Sequence, residues 1–149
     1  MLIKTKKISN KFNLFTYLLV EKKYKFEKTG EHQIKYSVYG PLNMDNMFKG
    51  VTSLKKVIMT SGQHAKIKSM KSAFENCSVN EFNINGFDTS GVKSMHKLFY
   101  HSDLNNIILT DLRTDSVEDF SYMFANINPN SLDLSKFDTS NEKNMSHMF

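Results

Sequence analysis

Two apolar patterns alternate along most of the chain. In the first, Val92, Met95, Leu98 and Phe99 follow a spacing of three, three and one, which lies on one face of a short helix and predicts a buried stripe. In the second, two apolar residues flank a single position: Val57 and Met59, Phe82 and Ile84, Ile107 and Leu109, Leu132 and Leu134. That alternation predicts short strands with one buried face. Leu54, Val79 and Leu104 recur between the two patterns as a loop anchor, a column that Pro129 breaks.

The patterns recur because the chain is repetitive. Residues 87–99 read FDTSGVKSMHKLF and residues 137–149 read FDTSNEKNMSHMF, with LRTDSVEDFSYMF at 112–124 midway, so the period is 25. Residues 62–74 keep Ile67, Met70 and Phe74, and an earlier copy carries Met44, Met47 and Phe48, displaced by 26 residues instead of 25. Five copies of this half of the repeat result, the last stopping at Phe149. Thr89 or Ser90 in one copy, and Asp115 with Glu118 in another, supply the oxygen acceptors expected at a helix start. A unit of one short strand and one short helix cannot close a core, so equivalent positions must stack from copy to copy. The expectation for residues 41–149 is an α/β repeat solenoid: a leucine-rich-repeat-like, right-handed stack of short parallel strands and short helices. All methionines except Met1 fall on its inward columns, where they alternate with Phe, Leu and Ala, and core packing is the reading adopted for them.

Residues 24–40 differ. Tyr24 and Phe26, a turn at Lys28–Glu31 containing Gly30, then Ile34, Tyr36 and Val38 alternate as a β-hairpin does, placed to cap the open N-terminal end of the stack. Residues 1–23 form a basic lead segment. Eight lysines lie within residues 1–30 against Glu21 and Glu27, so the net charge of +5 belongs to that segment and the rest is near neutral. A nucleic-acid or anionic-membrane reading therefore rests only on Lys4–Lys28 with Phe12, Phe15 and Tyr17, which a solvated lead segment explains as well. No nucleic-acid partner is expected, and membrane contact is not favoured. The apolar run Phe12–Val20 imitates a signal peptide, but Asn13 and Thr16 interrupt it, Glu21-Lys22-Lys23 follows, and no small-residue cleavage site appears. It is also shorter than the roughly 20 residues a membrane helix needs.

No constellation suggests catalysis. His32, His64, His96, His101 and His147 occupy different columns, no pair has ligand spacing, and no acid or thiol partners His96 or His101 along the sequence. The aspartates form no calcium loop, and Asp88 and Asp138 suit a turn or helix start. Single Cys77 excludes an intramolecular disulfide. The chain is expected to be non-enzymatic, with no cofactor and no metal. A candidate protein-binding surface lies on the strand side, where residues between the inward positions face outward. These form the columns Ile58, Asn83, Ile108 and Asp133, and Thr60, Asn85, Thr110 and Ser135; Ile58 and Ile108 exposed beside polar neighbours point to contact with another protein. The alternative is a structural or self-assembling repeat fragment that associates through its open C-terminal end, where the last copy is half a unit.

The lead FDTS…V..M..LF, with Leu132-Asp133-Leu134-Ser135 as the strand between copies, resembles the BspA-like surface proteins, whose repeat runs LDLSxFDTSxVxxMxxMF. The resemblance spans about residues 42–149 and is strongest in the last copy; the first two copies lack FDTS, and Glu142 stands where Val is usual. It implies a leucine-rich-repeat-like solenoid displayed on a cell surface or outside the cell, adhesion or protein binding as its role, a host or matrix protein as ligand, and no enzymatic activity. Cys77 sits where the family often has its repeat cysteine, which implies a buried packing residue. Family members reach the surface by a signal, lipid or membrane anchor, and the chain shows none of these clearly.

Overall fold

The computed structural model describes residues 41–52, 56–58, 65–79, 81–84 and 87–149. The basic lead segment and the expected hairpin cap at 24–40 lie outside them. Six short strands follow in order: β1 (Leu42–Asn43), β2 (Lys56–Ile58), β3 (Ala65–Ser69), β4 (Glu81–Asn83), β5 (Phe87–Asp88) and β6 (Asn106–Ile107). They make two parallel three-stranded sheets, ordered β1-β3-β5 and β2-β4-β6. In the second sheet Val57 lies opposite Phe82 and Phe82 opposite Ile107, a step of 25 residues each time. Parallel pairing at the repeat period sets equivalent residues side by side, so one buried face is built from Val57, Phe82, Ile84 and Leu109.

In the first sheet the register slips between Leu42, opposite Ile67, and Asn43, opposite Ser69. The extra residue is Lys68, and this bulge absorbs the 26-residue step between the first two copies. By β2 and β4 the offset is 25 again.

The expected helices are not formed. Segments 45–50, 71–76, 96–101 and 121–126 are turns, with left-handed backbone recurring at Asn46, Ser72, Lys97, Tyr122 and His147, and again at Gly50, Asn76, His101 and Asn126. Two left-handed residues four apart cannot belong to an α-helix. The amide groups show what replaces it. Leu98 N–H donates to Met95 O at 3.0 Å within the turn, whereas Lys97, Phe99 and His101 N–H donate to Ser121, Met123 and Ala125 of the next copy at 3.0, 3.0 and 3.1 Å. The same alternation links Asn46, Phe48 and Gly50 to Lys71, Ala73 and Glu75. So short a segment is a poor helix nucleus, and the neighbouring copy satisfies the alternate amides. The three-three-one apolar spacing is met by turns that bury the same residues.

The expected caps act between copies too. Thr89 Oγ1 donates to Arg113 O at 3.0 Å and accepts from Arg113 N–H at 2.8 Å, and Thr114 treats Asp138 the same way at 3.0 and 2.8 Å. Asp88 and Asp138 each accept the N–H two residues on, from Ser90 and Ser140, at 2.9 Å, which makes each a turn former. Asp115 pairs with Arg113 at 3.1 Å. The strand expected at Leu132–Leu134 is also absent: Ser135 N–H goes to Asp133 Oδ1 at 2.9 Å and Phe137 N–H to Leu134 O at 2.9 Å. Local turns take the groups that a ladder would have used.

The core is a ladder of equivalent side chains. Phe48, Phe74, Phe99, Phe124 and Phe149 stack with centroids 5.2, 5.7, 5.9 and 6.0 Å apart and planes within 17° of parallel. Phe82 meets Phe74 and Phe99 edge-on at 5.1 and 5.3 Å, closing the stack from the strand side. Met44, Met70, Met95 and Phe120 form a parallel column, and Ala73, Leu98, Met123 and Met148 a third. Met47 packs partly buried against this core, Met145 is exposed, and Met59 lies outside the described residues.

Candidate functional site: strand face and turn face

Of the outward strand columns, Ile58 and Asn83 are neighbours in β2 and β4. Ile108 stands one residue beyond β6 and is 61% exposed. Thr110, Asp133 and Ser135 are exposed as expected. Because the fourth strand is missing, Asp133 and Ser135 belong to a turn rather than to a continued sheet; hydrogen bonds from Ser135, with the charge of Lys136, hold the Asp133 carboxyl below its ordinary range. Thr60 and Asn85 lie outside the described residues, so the polar ladder through them is not traced.

A second surface, not singled out from the sequence, lies on the turns. The Lys97 ammonium sits 5.1 Å above the Tyr100 ring and 5.4 Å from that of Tyr122. His147 stacks on Tyr122 at 4.9 Å, His96 meets it edge-on at 6.0 Å, and His101 meets Tyr100 edge-on at 4.4 Å. Asn126 Nδ2 lies 3.2 Å from His101 Nε2. The signal was present in the sequence as the 25-residue offsets joining Lys97, Tyr122 and His147, which equivalent positions of a stack bring together.

His96 also gains partners that linear spacing hides. Its Nδ1 lies 2.7 Å from Ser121 Oγ, Ser121 Oγ donates to Asp119 Oδ1 at 2.5 Å, and Ser94 Oγ donates to Asp119 Oδ2 at 3.1 Å. The order His–Ser–Asp differs from a nucleophile relay, in which the imidazole lies between hydroxyl and carboxylate. Ser121 is buried and its hydroxyl and N–H both donate to Asp119 Oδ1, so the carboxylate closes the turn. Burial raises the Asp119 pKa, but bonds from Ser121 and Ser94 and the charge of His96 outweigh it and hold the carboxyl below its ordinary range.

Three further groups lie inside, Cys77, Ser102 and Glu75. Cys77, 2% exposed, donates its thiol to Phe48 O, and Ser102 one copy on donates its hydroxyl to Phe74 O. Burial pushes the Cys77 thiol up to about 11, which keeps it protonated as a donor between copies. Glu75, 7% exposed, ion-pairs with Lys49 at 2.9 Å. Burial alone would raise its pKa; hydrogen bonds from Ser72 and Lys49, with the charges of Lys49 and Lys97, lower it overall. Among the described residues no group of three or more His, Cys, Asp or Glu side chains could hold a metal ion, and no helix is long and apolar enough to cross a membrane.

One protein family matches, described as Mycoplasma protein of unknown function, DUF285, over residues 20–107 and again over 68–149. The chain belongs to this family. The two matches overlap, as a repeating sequence allows, and DUF285 is a BspA-like repeat family of unknown function. No curated protein and no solved structure matches the chain.

Proposed function

We propose that this DUF285 chain is a non-enzymatic protein-interaction or adhesion module of a surface repeat protein, built as a right-handed solenoid whose copies stack through their parallel strands and turns. The observation that carries the reading is Ile108, 61% exposed beside exposed Thr110, Asp133 and Ser135 while its neighbours Ile107 and Leu109 pack inward. A large exposed apolar residue in columns that also carry hydroxyls and the Asp133 carboxylate supports a small contact surface with a polar rim. The BspA-like resemblance supports display on a cell surface and a host or matrix protein as ligand. Purified chain coupled to beads is to be tested against a panel of purified extracellular-matrix proteins, beside an Ile108→Asp, Thr110→Glu variant. Selective capture of one protein, lost in the variant, is the expected result; no capture, or capture equal in the variant, overturns the assignment to this face.

A second reading is a structural or self-assembling repeat fragment that associates through the face carrying Met145 and Phe149, both exposed. Light scattering of the chain and of Phe149→Asp across a concentration series tests it: a dimer lost in the variant supports assembly, and a monomer at all concentrations rejects it.

A further inference from the structure

The outward positions of the turns change character along the chain. In the first two copies they carry both signs, with Asp45, Lys49 and Lys71, while Glu75 is buried beneath them. In the next three, residues 96–101, 121–126 and 145–149 contain no acid, and the outward polar groups are imidazoles, phenols and one ammonium, with the amide of Asn126 and the hydroxyl of Ser146. The local backbone does not ask for them. Lys97, Tyr122 and His147 take φ of 54°, 58° and 52° at a position where the first copy has Asn46, and His101 takes 54° where the others have Gly50, Asn76 and Asn126. Asn and Gly fit that conformation best, so these bulkier residues are held against local preference.

They are also assembled into one patch. Lys97 lies over both tyrosine rings, His147 stacks on Tyr122, and His101 abuts Tyr100. Two carboxylates close to the patch are engaged: buried Glu75 with Lys49 and within the field of Lys97, and Asp119 with Ser94 and Ser121. The patch therefore presents hydrogen-bond donors in quantity, from the ammonium, the phenols and the imidazole N–H groups, beside exposed ring edges.

We propose that this turn face docks an acidic segment of another protein, its carboxylates accepting from Lys97, Tyr100, Tyr122 and the imidazoles while the glutamate methylenes lie on the ring edges. Charge-assisted hydrogen bonds to a carboxylate are the strong kind, and several donors around one ammonium favour it over a neutral amide. The apolar ring edges favour a peptide over a sulfated glycan. This surface is separate from the strand face, and the proposal holds or fails whether or not Ile108 binds anything.

The test is fluorescence anisotropy with the full 149-residue chain and a labelled peptide of alternating Glu and Ala, against its Gln counterpart. The Glu peptide should bind and the Gln peptide should not. Lys97→Gln should weaken binding about tenfold, as expected for a lost hydrogen bond to a charged group, whereas Lys143→Gln, whose ammonium pairs with Glu118, should leave it unchanged. Tyr122→Phe, which keeps the ring and loses the hydroxyl, provides a second variant should Lys97→Gln shift the melting temperature, and it should weaken binding in the same direction. Equal weakening in Lys97→Gln and Lys143→Gln would show unspecific attraction, including any to the lysines of residues 1–30, and overturns the proposal. So does indifference of binding to Lys97 and Tyr122, or Lys97-dependent binding of a heparin oligosaccharide without binding of the Glu peptide.

Discussion

At the scale of single residues, the polar groups of the repeat serve the next copy. Thr89 and Thr114 each use one hydroxyl twice, donating to a carbonyl and accepting from an amide 24 residues on. Thr114→Val keeps the shape and leaves both backbone groups of Asp138 unpaired at that contact. It should cost about 1–3 kcal/mol, read from urea unfolding, whereas Thr139→Val on an exposed turn should stay within about 0.5 kcal/mol. Asp119 supplies a pH test. Its carboxyl is held below the ordinary value of 3.8 in the fold, so its stabilising contribution is present above that value and is lost as pH falls through the lower folded pKa. Asn144 occupies the same place one copy on and accepts Ser146 N–H at 3.0 Å, so Asp119→Asn should fold at pH 7. Its stability should fall less steeply than that of the parent below about pH 4, as followed by urea midpoints between pH 7 and 3.

At the scale of elements, the three-three-one spacing predicts a helix, and the structure meets it with a turn. Both structures bury residues at that spacing, and apolar periodicity cannot separate them when the segment is so short. The distinguishing sign is at the outward positions, where Asn46, Gly50, Asn76 and Asn126 are residue types that tolerate left-handed backbone. Ser72, Lys97, Tyr122 and His147 at equivalent places blur that sign. His101 decides between the two cases by experiment. In a helix, His101→Gly would destabilise by roughly 0.5–1 kcal/mol; at φ of 54°, relief of side-chain crowding should make it neutral or stabilising by about 0.5 kcal/mol. Thermal melts of the two proteins distinguish the signs.

At the scale of the whole molecule, stability rests on side chains stacked across copies. Phe99 is fully buried, with stacking partners on both sides and Phe82 against its edge. Phe99→Ala should cost about 3–5 kcal/mol, and Ile108→Ala, at an exposed position, under about 0.5 kcal/mol; chemical denaturation of both variants checks the ratio. Equal small losses would mean that the Phe column is not the core. Because the strand pairs and the Phe stack join residues about 25 apart, removing one ring weakens two interfaces, and the loss should spread to neighbouring copies.

The repeat, its period, the inward columns and the parallel pairing at 25 residues were legible in the sequence, because burial selects the same residue type at each equivalent place and the period carries it through. The 26-residue step between the first two copies was legible as well, and it corresponds to the bulge at Lys68 in the second. The candidate strand face was legible only in part: Ile108 is exposed as its alternation required, while Asp133 and Ser135 form a turn instead of extending the sheet. What only the tertiary structure decided is the backbone between the columns and the company of the outward side chains. A helix and a turn satisfy the same apolar spacing, and the choice falls to amides that find their acceptors in the next copy. The contacts among Lys97, Tyr122 and His147, and between His96, Ser121 and Asp119, arise from that same stacking, since residues 25 apart meet only after each copy has settled on its neighbour.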